Sequence, residues 1–271
     1  MHQLVSSYIE GTIFKLYRAS GLPFTDRLSR EDKESIVTKL AKYLYQIYQQ
    51  NISTYEEDII ARYSSYRDVA IEITTISGSI GDIRYLIIKS RNSRLLPRQT
   101  LVFSGTKEST LLLNRVTSKS DVNDYLLKLL QLQTDSVYAE YDEVPSKVIP
   151  LVINKLSLNF NNLRLVYGIH QSSGLLKTIE LEVPHADLNT LRQQNGDLYT
   201  NICQFMYNCS KIHFNKLKVK RLTSDVINIS SDGRIKFNRM SNDNDSDEKM
   251  ADEDGGALLI LKLFHLALNE V

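Results

Sequence analysis

LKVKRLTSDVINISSDGRIKF, residues 217–237, is the stretch whose pattern decides the fold. Apolar side chains alternate with polar ones from Leu217 to Ile229 and again from Arg234 to Phe237, with Ser231-Asp232-Gly233 between them as a turn. Period-two alternation on both sides of a Gly-bearing turn predicts paired strands with one face buried and the other wet. Upstream, Leu163 to Ile169 and Leu176 to Val183 flank Ser172-Ser173-Gly174, a hairpin signature, and Leu198 to Tyr207 is spaced as a helix. Downstream, Leu258 to Leu268 closes the chain as an amphipathic helix.

The N-terminal part uses the same elements. Ser29, with Asp32 three residues on, marks a helix start, and Ile36, Val37, Leu40, Tyr43, Leu44, Ile47 and Tyr48 then recur at helical spacing to about Gln50. Tyr8 to Tyr17, closed by Gly21 and Pro23, is expected to be extended. Val69, Ile71 and Ile73, then Ile83 to Lys89, then Leu101 to Phe103 read as an antiparallel meander. Ser118 and Asp121 open a second helix through Leu130, Val137 to Tyr141 alternates again, and Lys147 to Leu156 is a short apolar helix containing Pro150. The order predicts an α+β fold of two coupled halves, residues 1–145 and 146–271, with mainly antiparallel sheets flanked by helices.

A chain of 271 residues, 42% of them hydrophobic, buries a sizeable core. Its net charge of +1 hides an asymmetry: residues 242–254 hold seven acids against one base, which makes −6 there and leaves +7 on the remainder. That acidic stretch, followed by Gly255 and Gly256, has too few apolar residues to order itself and is expected to be a flexible insertion. Cys203 and Cys209 are too few for a disulfide framework. The first residues lack a secretory pattern, and the longest apolar run is broken by Lys262 and His265, so the chain is expected inside the cell and off the membrane.

Catalytic and cofactor motifs are missing. Ser104-Gly105-Thr106-Lys107 has neither the earlier glycine nor the Gly-Lys-Ser order of a phosphate loop. Cys203, Cys209 and His213 lack a fourth metal ligand. Asp243, Asp245, Asp247 and Asp254 fall at calcium-loop positions, but Glu248 stands where the turn demands glycine. No serine sits in a Gly-x-Ser-x-Gly elbow. No enzyme activity, metal or cofactor is therefore expected.

Basic residues point instead to adhesion. Lys211, Lys216, Lys218, Lys220 and Arg221 lie within eleven residues, and an extended Phe214 to Leu222 would put Lys216, Lys218 and Lys220 in a row on one face, about 6–7 Å apart, able to track phosphates. A solvated strand face is the competing reading. Arg84, Lys89, Arg91, Arg94 and Arg98 form a second cluster. Leu258, Leu261, Phe264 and Leu268 on the terminal segment need either the core or a partner, and are assigned to a partner.

Phe205-Met206-Tyr207-Asn208, Ile212 to Leu222, Thr223-Ser224-Asp225-Val226 and Ser231-Asp232-Gly233-Arg234-Ile235-Lys236 together resemble the C-terminal half of the centromere protein L family, an inner-kinetochore subunit. The Tyr8 to Leu16 segment ahead of a long helix, Ile179-Glu180-Leu181-Glu182-Val183-Pro184 and the Leu-rich end agree in order. The chain departs from that family in having no tryptophan and in its acidic insertion. The resemblance implies a non-enzymatic nuclear protein at the centromere. It would pair with a centromere protein N homologue, or with itself as a homodimer, and join other constitutive kinetochore subunits, the centromeric nucleosome and its DNA. In fungal relatives the pair also supports pericentromeric cohesion. The rivals are an adaptor of another nuclear or transport complex without DNA contact, and a nucleic-acid enzyme whose carboxylates meet only in space.

Overall fold

The computed structural model describes residues 2–51, 72–105, 110–169, 177–238 and 256–270. The fold is α+β. Packing separates a central unit, residues 17–139, from a terminal unit made of residues 1–16 with 140–271. Chain order alone suggests a division at 145. The first sixteen residues belong instead with the C-terminal part, because Ile13, Phe14 and Lys15 pair with Lys236, Ile235 and Arg234.

In the central unit, α2 (Arg30–Asn51) starts as its capping residues predict: Asp32 N donates to Ser29 Oγ at 3.0 Å, and the Ser29 hydroxyl donates back to the Asp32 carboxylate at 2.7 Å. Strands β2 (Ile73–Ile80), β3 (Ile83–Ser90), β4 (Gln99–Gly105) and β5 (Thr110–Arg115) form the antiparallel meander, followed by α3 (Ser120–Thr134). Val69 and Ile71, expected in the first strand, lie outside the described residues. Leu40 and Leu44 of α2 and Leu126 and Leu130 of α3 pack with Leu86, Leu101, Phe103 and Leu112. Tyr85, Val102, Leu111 and Leu113 on the opposite sheet face are buried too. Double burial removes the alternation that marks a half-wet strand, which is why β5, TLLLNR, does not announce itself. A polar knot crosses this unit: Asn123 Nδ2 donates to Gln99 Oε1 at 2.8 Å and to Asn114 Oδ1 at 2.9 Å. All three amides are buried, so each needs the others.

The terminal unit contains α1 (His2–Ile9), the start of β1 (Ile13–Ala19) and the end of β6 (Tyr138–Glu140). Its remaining elements are α4 (Val148–Lys155), β7 (Leu163–Gly168), β8 (Thr178–Val183), α5 (His185–Arg192), α6 (Leu198–Ser210), β9 (Lys218–Ser224), β10 (Ile227–Ser230), β11 (Arg234–Phe237) and α7 (Gly256–Asn269). The strands run in the order β1-β11-β10-β9-β7-β8, each neighbour antiparallel. Tyr8 and Ile9, expected to be extended, close α1 instead, and the strand begins at Ile13. His185 is the first residue of a helix whose Leu188 and Leu191 are buried. Both hairpin strands are present at β7 and β8, whereas the tip residues 172–174 and the acidic stretch 242–254 lie outside the described residues.

One side of this sheet is apolar. Phe14, Leu16, Ile235, Phe237, Ile227, Ile229, Leu222 and Leu165 are all buried. Helix α7 shares this core, packing on α4 and α1. Leu258, Leu261 and Phe264 are 0% exposed and Leu268 is half-buried, so the residues assigned to a partner are used by the chain's own core. An amphipathic stripe reads the same in sequence whichever surface covers it.

The hairpin turn depends on Gly233. Its φ is +82°, and a Cβ there would stand 2.6 Å from the Tyr141 carbonyl oxygen. Backbone cannot give way as a flexible side chain can, so Gly233→Ala is expected to cost about 2–3 kcal/mol, read as a lowered midpoint in urea with an unchanged slope.

Candidate nucleic-acid interface

The opposite side of the terminal sheet is polar. Lys15 on β1, Arg234 and Lys236 on β11, Asn228 and Ser230 on β10, Arg221 and Thr223 on β9 and Arg164 on β7 alternate with the core residues. Cross-strand register sets Asn228 against both Lys236 and Thr223, and Arg221 against Ser230. A shallow cleft of about 480 Å³ lies on this side, lined among others by Lys220, Arg221, Thr223, Asn228, Arg234 and Lys236.

Simple alternation would send Arg221 to the side away from Lys220. It does not, because the β7–β9 register shifts: Val166 faces Arg221 while Tyr167 faces Val219, so Lys220 is an extra residue on β9. The bulge leaves Val219 and Leu222 buried and brings both Lys220 and Arg221 outward. The Lys220 stem crosses Gly168, where a Cβ would lie 2.9 Å from Lys220 Cε, so this glycine makes room for the lysine.

The five basic residues expected to act together are dispersed. Lys216 ends a short 3-10 turn, Phe214–Lys216, outside the strand, which breaks the expected row of three lysines. Lys211 follows α6. Lys218 is ion-paired with Glu143, whose carboxylate is also 4.0 Å from Lys220. Burial and then the neighbouring Lys220 lower the pKa of Lys218. Arg221 stays in the cleft, joined there by Arg234 and Lys236, which sequence reading had not selected. The signal for both was present, since in SDGRIKF the inward Ile235 and Phe237 oblige Arg234 and Lys236 to point outward. What was missing was the pairing order that sets them across from Arg221.

Cations dominate this surface. Arg234 and Lys236 stand about 7 Å apart along one strand, and Arg221 lies two strands away, roughly 10 Å. Asp232 is the one carboxylate lining the cleft among the described residues, 3.6 Å from Arg234. Burial pushes its pKa up, but the Ser230 hydroxyl, the Arg234 N–H and the charges of Arg234 and Lys15 outweigh that and hold it below the ordinary range. It therefore remains charged through neutral pH. Lys15 is engaged elsewhere, at 2.9 Å from Glu140 and on the Asp232 carbonyl. Neither Arg221 nor Lys236 has a carboxylate partner among the described residues. An open face with unspent cations and hydroxyl and amide donors between them suits the phosphates of a polyanion. Removing the opposing charge with Asp232→Asn is expected to tighten duplex DNA binding about threefold, measured by anisotropy at low salt.

Elsewhere among the described residues, one further group of titratable side chains is buried together. Tyr167, Tyr199 and Cys203 cluster together, all with pKa values raised, first by burial; Cys203 raises both tyrosines further, whereas hydrogen bonds to Tyr199 and Tyr167 pull the Cys203 thiol partly back. A thiol held protonated in this way is a poor nucleophile. Among the described residues no group of His, Cys, Asp and Glu is placed to hold a metal ion, and no helix is long and apolar enough to cross a membrane. No family model matches this sequence, and no curated protein matches it.

Proposed function

We propose that this chain is a structural, non-catalytic subunit of the constitutive inner kinetochore. It acts in the nucleus at the centromere, pairs with a centromere protein N homologue, and lies against the DNA of the centromeric nucleosome. The observation that carries the reading is the polar face of the terminal sheet, open among the described residues, on which Arg221, Arg234 and Lys236 converge from β9 and β11. The sequence resemblance over Phe205 to Phe237 supports the same assignment, and all three of those cations fall inside it.

Partner pairing has a candidate site in β8. Among the described residues β8 has β7 as its one strand neighbour in the terminal sheet, and its other edge is the candidate site for an added strand. Glu180 and Glu182 point outward from it, the charged dressing that keeps an edge from pairing indiscriminately.

Purification of the tagged full chain from cells, with its associated proteins identified by mass spectrometry, tests the assignment. Co-purification of a centromere protein N homologue and centromeric chromatin is expected. Recovery with a transport complex or another nuclear assembly, free of kinetochore subunits, would contradict it and favour an adaptor without DNA contact.

A further inference from the structure

We propose that Lys15, Lys218 and Lys220, at the border of the cleft, form a second phosphate-binding patch that the carboxylates of Glu140 and Glu143 hold covered. The cover limits how much of a duplex the chain engages, a role that rests on the nucleic-acid reading of this sheet.

The chain that carries the two acids is fixed against the β10–β11 turn. Tyr141 N donates to the Leu16 carbonyl at 3.0 Å and Val144 N to the Ser231 carbonyl at 2.9 Å, and the Val144 side chain is buried. Ser231 N in turn donates to the Lys220 carbonyl at 2.8 Å, which brings β9 to the same turn. Between these anchors Glu140 stands 2.9 Å from the Lys15 ammonium. Glu143 lies on the Lys218 ammonium and 4.0 Å from that of Lys220. All three lysines border the polar face, since Lys15 is paired across the strands with Arg234, Lys220 lines the cleft, and Lys218 shares its carboxylate with Lys220.

The acids lie outside the lysines. Glu140 is 46% exposed over Lys15 at 19%, and Glu143 is 51% exposed over Lys218 at 23%, so an approaching polyanion meets carboxylates first. The backbone bonds and Val144 hold the segment without either ion pair, and half-exposed pairs add little to stability because water solvates both charges. What the carboxylates contribute is therefore their charge. Glu143 sets one charge against two ammonium groups, so the cover is also incomplete. With the acids neutral, Lys15 and Lys218 stand uncovered beside Arg234 and Lys220 and can each take a phosphate.

Duplex DNA binding by the full chain over a range of salt, followed by anisotropy, tests this. Glu140→Gln with Glu143→Gln is expected to tighten binding about tenfold near 0.1 M salt and to steepen the slope of log affinity against log salt by about 2, one for Lys15 and one for Lys218. Glu143→Gln alone, whose amide oxygen still accepts from Lys218, steepens it by about 1. Adding Lys15→Gln and Lys218→Gln to the double variant returns the slope to that of the unmodified chain. Glu34→Gln with Glu72→Gln makes the same change in net charge by freeing Arg30 and Arg91 in the central unit, and leaves the slope within about 0.5. Tighter binding with an unchanged slope overturns the proposal, because the acids would then act by repulsion alone. Equal steepening in the Glu34 and Glu72 variant overturns it too, by making net charge the cause. No binding by any of these chains at low salt overturns the nucleic-acid reading itself, and the cover with it.

Discussion

Changing Arg221, Arg234 and Lys236 together to glutamate lowers duplex DNA affinity of the full chain by about a hundredfold or more near 0.1 M salt, and flattens the slope of log affinity against log salt by about 3. Each of these cations, once on a phosphate, displaces about one condensed counterion, so losing three contacts removes about three ions from the linkage, and three carboxylates add repulsion. The fold tolerates the change because Arg221 and Arg234 are exposed and Lys236 is half-buried, and the inward residues of their strands stay in place. Glutamate at Lys216, Lys218 and Lys220 has the smaller effect. Lys216 is off the strand and Lys218 is already neutralised by Glu143. Equal losses from the two triple variants would show that the charge of the region matters and the cleft does not.

Phe264→Ala carries the largest expected cost in stability, about 3–5 kcal/mol, the range for deleting a fully buried aromatic ring. The ring is 0% exposed on a helix that packs on α4 and α1, and its neighbours Leu261 and Ala267 are equally enclosed. A loss of that size amounts to about 6–20 °C in melting temperature for a unit of this length. An unchanged melt with loss of a binding partner alone would return α7 to the surface and restore the partner role that its amphipathic pattern first indicates.

Elements with one wet face were the most legible from sequence, although β4, buried along its whole length, was also read through Leu101 to Phe103. α2 declared itself through Ser29, Asp32 and a clean 3.6-residue stripe, and the β10–β11 hairpin through Gly233 and its flanking alternation. β5 stayed hidden because its central leucines are buried on both faces and show no period. α5 stayed hidden because Pro184 ahead of it offers no capping side chain, although proline ahead of a first helical turn is an ordinary helix start. The candidate site was half legible. Arg221 was identified from local charge, but the bulge at Lys220 and the pairing of β11 with β10 and β1 are long-range facts that no local window contains. The error over Leu258, Leu261 and Phe264 has the same origin, since what covers a stripe is decided by distant chain.

The central claim is that the chain holds nucleic acid through phosphates on the open face of its terminal sheet. The salt dependence of duplex binding by the unmodified full chain tests it most directly, using two duplexes of unrelated sequence. A slope of about −3 to −4, the same for both, is predicted from the cations of Lys220, Arg221, Arg234 and Lys236. Absence of measurable binding at low salt, or affinity that does not change with salt, would contradict it.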